Sequence, residues 1–308
     1  MSVQLTILGS SGAMPAYGRF PSAQLLVLEN RHLLIDCGEG TQMQLSKANA
    51  SPAKINHIFI SHLHGDHYLG LPGLIFSMHL NRREADLHIY SFRGLDEILL
   101  TQFKHSQSVL NFRIIFHEVK HESAVILDDE LVTVTTLPMK HKIPCVGFLF
   151  QEKPKPRRID KLKLPAGILL QHIALLKTGQ DVYTDSGDLL YKNDEYTQPP
   201  RPSFSYAYCT DTSYQPELVH AIQQVDWLYH ESTFMESEKG KAVETRHSTA
   251  REAAQIARDA GVKKLILGHF SARYRELNSL LEEARALFPA SELATECLTF
   301  EWTHETDH

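Results

Sequence analysis

Apolar, β-branched runs that stop at a polar or turn residue recur along the chain, at positions 3–8, 33–35, 55–60, 131–137, 204–209, 227–229 and 265–267. Such short runs predict buried strands. Between them, apolar residues return at helical spacing over positions 69–80, 95–104, 216–225, 249–260 and 275–287. Thr249 followed by Glu252 matches a capping box, so a helix is expected to open there. Strands alternating with helices imply an α/β architecture with helices outside packed sheets. No apolar run approaches the roughly 20 residues that cross a bilayer, so no membrane association is expected.

Two segments break the pattern. From Gln151 to Leu164 the chain reads QEKPKPRRIDKLKL, in which Lys153, Lys155, Arg157, Arg158, Lys161 and Lys163 face only Glu152 and Asp160. Such a run is either a solvated linker or a projecting arm that grips a polyanion. Positions 184–202, rich in Pro and Gly, predict a long hairpin or loop. The chain of 308 residues is 43% hydrophobic and 22% charged with a net charge of −6, which excludes disordered, collagen-like and transmembrane classes. That acidity argues against nonspecific adsorption to nucleic acid, but a local basic site stays open. Four dispersed cysteines without a CxxC pair fit reduced thiols, and the start of the chain reads straight into a strand, so a cytoplasmic protein is expected.

Histidine is the unusual residue, with 18 copies. The run at 55–60 leads into Ser61-His62-Leu63-His64-Gly65-Asp66-His67. In an extended segment His62 and His64 point to one side, and Gly65 lets Asp66 and His67 leave in a new direction at a helix start. Three imidazoles and a carboxylate within six residues suit zinc. Six residues cannot close two metal sites. Further ligands are expected at the ends of other strands, where His141, Asp211 and His269 stand. Asp36, also at a strand end, is expected to anchor the metal loop by hydrogen bonds rather than to ligate. His79, His88, His105, His117, His121 and His172 lack ligand spacing and are read as surface or packing residues.

The His-x-His-x-Asp-His pattern of His62, His64, Asp66 and His67 resembles the signature of the metallo-β-lactamase superfamily. Within it the chain is most similar to the ribonuclease Z family, tRNA 3′-processing endonucleases of the short form. The likeness extends through Asp36-Cys37-Gly38-Glu39-Gly40-Thr41-Gln42, Pro138-Met139-Lys140-His141, Cys209-Thr210-Asp211-Thr212, His230-Glu231-Ser232-Thr233-Phe234, His247-Ser248 and Gly268-His269-Phe270-Ser271-Ala272-Arg273-Tyr274, in the family's order. It implies a four-layer αβ/βα sandwich over positions 1–308, with an inserted flexible basic arm at about 151–177. It also implies two Zn2+ per subunit, or Mn2+ or another divalent ion. His62, His64 and His141 would hold one, Asp66, His67 and His269 the other, and Asp211 would bridge them.

The activity so implied is removal of 3′ trailers from precursor tRNA. Hydroxide activated at the metals would attack phosphorus, leaving a tRNA 3′-hydroxyl and a 5′-phosphorylated trailer. Asp66 would orient the nucleophile or take its proton, and His247 paired with Glu231 would protonate the leaving oxygen. His247 precedes the helix start at Thr249, whose dipole disfavours the imidazolium, and Glu231 would restore it. In the family the arm grasps the tRNA elbow and serves a partner's active site, which implies a homodimer. The altered turn Pro165-Ala166-Gly167 replaces the usual Pro-Pro-Gly-Pro-like one. Arg273, or backbone N–H groups of Ser10, Ser11 and Gly12, are candidates for phosphate contact. Two rivals are a hydrolase of this fold acting on a small phosphodiester or ester, and a noncatalytic RNA-binding protein of this fold.

Overall fold

The computed structural model describes residues 2–303. The ends of the expected span, positions 1 and 308, lie outside the described residues. Among these residues two seven-stranded sheets dominate. The first runs, edge to edge, through Thr299–Thr303, Ser2–Gly9, Ala23–Leu28, Arg31–Ile35, Ile55–Phe59, Leu87–Ser91 and Ile114–Glu118. The second runs through Ser291–Leu293, Lys264–Gly268, Trp227–Glu231, Ser205–Cys209, Cys145–Glu152, Val132–Met139 and Val125–Asp128. Most strands that carry the metal-type motifs pair in parallel with a neighbour: Arg31–Ile35 with Ile55–Phe59, and Ser205–Cys209 with Trp227–Glu231 and that with Lys264–Gly268; Val132–Met139, which leads to His141, pairs antiparallel with Val125–Asp128. The C-terminal ends of the parallel strands therefore lie together, where open α/β sheets place their ligands.

Side-chain alternation builds the layers. From the strand Ile55–Phe59, Ile58 and the following Ile60 join Leu74, Ile75, Leu99 and Phe103 of the helices Leu71–Leu80 and Leu95–His105 in one apolar cluster. Phe59 faces the other way, meeting Phe148 and Phe150 of the second sheet at ring separations of 5.5 and 5.4 Å. Tyr208 and Tyr206 reach across to Asp36 and Gln24 of the first sheet. The helices Ala250–Ala260 and Asn278–Arg285 cover the outer face of the second sheet. The sequence-predicted four-layer sandwich is thus what forms. Each fully buried Phe or Leu of these layers contributes about 1.5–3 kcal/mol.

Thr249 does open its helix: its side chain accepts from Glu252 N at 3.1 Å while Glu252 Oε2 accepts from Thr249 N at 3.0 Å. The helix expected at 216–225 shrinks to Leu218–Ala221, and that at 69–80 forms as Leu71–Leu80, with a separate short helix, Gly65–Tyr68, just before it and Gly70 between the two. A Cβ at Gly70 would lie 2.1 Å from the Gly38 carbonyl, so this close backbone approach admits only glycine.

The chain divides into two compact units, the second being Glu152–Phe204. That unit holds the positions expected for the arm, 151–177, except Gln151, and continues through the hairpin Val182–Tyr183/Leu189–Tyr191. Its buried residues are both apolar, as Leu176 and Val182, and polar, as Asn193 and Thr197. Buried Asn193 donates Nδ2–H to the Leu176 and Gln180 carbonyls, and Thr197 Oγ1 donates to the Asn193 carbonyl and receives Arg157 Nε at 2.7 Å. Lys155 pairs with Glu152 at 2.7 Å, Arg157 with Asp194 at 2.9 Å and Lys163 with Asp160 at 3.6 Å.

Candidate metal centre

All seven sequence-predicted ligands converge at the C-terminal ends of the paired strands. Ligand atoms of His62, His64, His141 and Asp211 lie within 4.8 Å of one another, as do those of Asp66, His67 and His269. Three of the residues that follow strands do so in the left-handed backbone region: Asp36 at φ 54°, Asp211 at φ 50° and His269 at φ 57°. At each the chain leaves its strand sharply, a conformation costing on the order of 1–3 kcal/mol and held by the surrounding contacts.

The hydrogen-bond network fixes which nitrogen of each ring faces inward. Asp36, fully buried, accepts from Ser61 N at 2.8 Å, Ser61 Oγ at 2.9 Å, Tyr208 OH at 2.7 Å and His67 Nδ1 at 2.7 Å. His67 therefore carries its proton on Nδ1 and turns Nε2 toward Asp66 Oδ2 at 3.4 Å and Asp211 Oδ2 at 3.2 Å. His141 Nδ1 donates to the Arg246 carbonyl at 3.2 Å, and Arg246 Nη1 returns a bond to the His141 carbonyl at 2.6 Å. His62 Nδ1 meets Ser61 Oγ at 3.0 Å. His269 Nδ1 donates to Thr233 Oγ1 at 2.9 Å, because that hydroxyl gives its own proton to Glu231.

Four Nε2 lone pairs are thereby aimed at carboxylate oxygens. Asp211 divides its two: Oδ1 lies 3.7 and 3.6 Å from His62 and His141, whereas Oδ2 lies 3.2 and 3.3 Å from His67 and His269. Nε2 of buried His67 and His269 has no hydrogen-bond partner. His64 Nδ1 sits 3.0 Å from His62 Nε2 and 3.2 Å from His141 Nε2. Nitrogens about 2.0–2.1 Å from a tetrahedral zinc lie roughly 3.3 Å apart, so this spacing is that of ligands around a cation. Lone pairs facing carboxylates require a proton or a cation between them, and the donor set therefore fits a divalent metal.

The charges agree. Burial lowers the pKa of His62, His64 and His141, keeping them in the neutral form that ligates. His67 behaves oppositely: burial opposes its charge, yet Asp66, Asp211 and Asp36 together raise its pKa well above the ordinary value. Asp66 and Asp211 lie far below the usual carboxylate range because the surrounding imidazoles outweigh burial. A cation entering beside His67 would displace the proton those carboxylates hold.

Next to the cluster, His247 Nδ1 stands 2.9 Å from Glu231 Oε1 and 4.0 Å from Asp211 Oδ1. Burial pulls the imidazole down, but Glu231 and then Asp211 and Asp66 prevail and hold its pKa at about 9. Glu231 is fully buried and also accepts from Thr212 N at 2.7 Å.

Several contributors escape the ligand motif. Thr233 joins Glu231 to His269, and Ala13 N fixes Asp66 Oδ2 at 2.8 Å. Gly12 leaves room for the His269 ring, which a Cβ there would approach to 2.8 Å. The phosphate role considered for the turn at Ser10, Ser11 and Gly12 fails, because its N–H groups are spent on Glu296 Oε1, the Phe20 carbonyl and the Phe270 carbonyl. Arg273 is engaged by Glu238 at 2.8 Å and lies over the Phe234 ring. Lys153, Lys155, Arg157, Arg158, Lys161 and Lys163 all belong to the second compact unit.

Two packed sheets with a His/Asp cluster at their C-terminal strand ends define a hydrolase of the metallo-β-lactamase fold. The solved structures agree: human tRNase Z, short form, is similar with a TM-score of 0.69 and 27% identity over 96% of this chain and 98% of that one. The Bacillus subtilis metallo-β-lactamase fold protein YhfI gives 0.69 and 20% over 98% and 100%. A family model described as Anti-Pycsar protein Apyc1 matches residues 3–155, just under half of the chain. Ribonuclease Z of Bacteroides fragilis is 45% identical over 96% of this chain and 97% of its own length. Ribonuclease Z of Cytophaga hutchinsonii is 45% identical over 100% and 99%. The chain belongs to the ribonuclease Z family, and as such it is an endoribonuclease.

Proposed function

We propose that this protein removes 3′ trailers from precursor tRNA, using two divalent cations, with zinc favoured by the imidazole-rich donor set. The observation that carries the proposal is the division of Asp211, one oxygen toward His62 and His141 and the other toward His67 and His269, in a chain 45% identical to ribonuclease Z along nearly its whole length. His62, His64 and His141 would hold one cation, Asp66, His67 and His269 the second, and Asp211 both. Bound there, a cation pair supplies Lewis acidity that acidifies water and neutralises the charge on phosphoryl oxygens.

The chain's own residues do the rest. Asp66, anchored by Ala13 N and ionised at all ordinary pH, orients the attacking water. His247, kept protonated by Glu231, stands as the general acid for the departing 3′ oxygen, so the tRNA ends in a 3′-hydroxyl and the trailer in a 5′-phosphate. Asp36 and Thr233 hold the ligating rings in the required tautomers. The basic residues of Glu152–Phe204 are proposed to contact tRNA phosphates away from the reacting bond.

The proposed enzyme acts as a homodimer in the cytoplasm. Exposed Met14, Met43, Leu69 and Leu80 are compatible with a covered surface, and four free cysteines with a reducing compartment. Among the described residues no helix is long and apolar enough to cross a membrane. The test is incubation of the purified chain with a 3′-extended precursor tRNA and end-mapping of the products. Chelator-sensitive cleavage giving 3′-hydroxyl and 5′-phosphate ends is expected. A cyclic phosphate end, or cleavage of small diesters alone, would overturn the proposal.

A further inference from the structure

Two cavities open on the larger unit beside His141. The first, about 530 Å3, is lined in part by His141, Lys142 and Arg246. The second, about 500 Å3, is lined in part by Phe92, Arg93 and Lys120. His121, Ile143 and Pro144 line both, so the two form one groove leading away from the metal-type cluster.

The walls of this groove have two characters. Phe92, Ile143 and Pro144 give it an apolar floor with one aromatic ring. Arg93, Lys120 and Lys142 are exposed and carry no ion pair among the described residues. Neighbouring cations differ: Lys140 is bound to Glu217 at 3.0 Å, and Arg246 is committed to the His141 carbonyl. Glu118 is the sole carboxylate among the described lining residues. Unpaired cations beside an aromatic platform suit single-stranded nucleic acid, whose phosphates meet the charges while a base stacks on the ring. Each cavity lies within the roughly 300–1,000 Å3 of a small-molecule site, enough for about one nucleotide and far too small for a base-paired stem.

We infer that this groove binds the single-stranded 3′ trailer of the RNA substrate, with Phe92 stacking a base and Arg93, Lys120 and Lys142 contacting phosphates. The inference rests on the endoribonuclease function proposed above and assigns that site its trailer-binding residues.

Two measurements on the full chain test it. In the first, the metal-loaded protein cleaves precursor tRNAs with trailers of one, two, three and six nucleotides. KM should fall as the trailer lengthens to about two nucleotides, one for each cavity, and then level. Phe92→Ala should raise KM for the longer trailers by about 5- to 100-fold and flatten that dependence. In the second, a fluorescein-labelled hexauridylate is titrated by anisotropy at several salt concentrations. Lys120→Gln and Lys142→Gln should each reduce the slope of log affinity against log salt by about 0.7.

Phe92→Leu keeps apolar volume without a stacking face. It should weaken hexauridylate binding while melting as the wild type does, which separates stacking from folding. Wild-type KM independent of trailer length, or variants that bind hexauridylate as the wild type does, would overturn the inference. Weakened binding in the variants together with no cleavage of precursor tRNA would leave the groove standing and remove the proposed function. Cleavage with unchanged binding would do the reverse.

Discussion

Replacing Glu231 with Gln removes one buried negative charge and almost no volume, and the surroundings of His247 set the size of the consequence. In the metal-free protein burial lowers the imidazole's pKa. The Glu231 carboxylate at 2.9 Å, aided by Asp211 and Asp66, lifts it to about 9 from the ordinary 6.5. That difference corresponds to about 3 kcal/mol in favour of the protonated ring. Because the folded value is the higher one, this stabilisation is present in full below pH 6.5 and fades as pH rises through 9. Without the carboxylate, burial meets less opposition and His247 should titrate at or below its ordinary value. Imidazole 15N resonances of the metal-free protein, followed from pH 5 to 10, read this directly. Urea unfolding at pH 6 and pH 10 should show the wild type losing up to about 3 kcal/mol more than Glu231→Gln across that interval. In the metal-loaded enzyme the substitution should slow cleavage by about 10²- to 10⁴-fold, the range of a positioned general acid. A wild-type His247 that titrates at or below 6.5, or one unmoved by the substitution, would refute the reasoning.

Asp36→Asn places an amide where four donors converge, so it should weaken zinc binding by about 10- to 100-fold in calorimetric titration; unchanged affinity would show that His67 needs no such anchor. Thr233→Val keeps the shape but cannot accept the His269 Nδ1 proton, so chelator competition should become biphasic, with only the Asp66/His67/His269 side loosened by about 10- to 100-fold; a uniform loss would contradict this. Gln151 and Ser205 are register partners in adjacent strands, so a short turn can replace Glu152–Phe204. That deletion should leave hydrolysis of a small phosphodiester intact and sharply reduce cleavage of precursor tRNA; equal loss of both would argue against a tRNA-gripping role.

The cluster residues were legible because a strand-end group of three imidazoles and a carboxylate is rare in chemistry and tight in sequence. His141, Asp211 and His269 were legible because each ends an apolar run, and strand ends are where such sheets place ligands. What stayed hidden depends on contacts between distant segments. Thr233 and Ala13 act through single hydrogen bonds to His269 and Asp66, and no periodicity marks either one. Strands such as Ala23–Leu28 and Cys145–Glu152 are nearly continuous in their burial and give no alternation to distinguish them from other apolar runs. The helix expected at 216–225 extends only over Leu218–Ala221, since apolar spacing alone does not say where a chain stops turning. The left-handed backbone at Asp36, Asp211 and His269 is held by the contacts around it; Asp and His tolerate that region better than most residues, but the residue type alone does not say which of them adopt it.

Crystals grown with zinc and measured at its absorption edge would test the shared carboxylate most directly. Two anomalous peaks are expected about 3.5–4 Å apart, one among His62, His64 and His141 and the other among Asp66, His67 and His269, with Asp211 touching both. A single peak, or peaks that leave Asp211 uncoordinated, would contradict it.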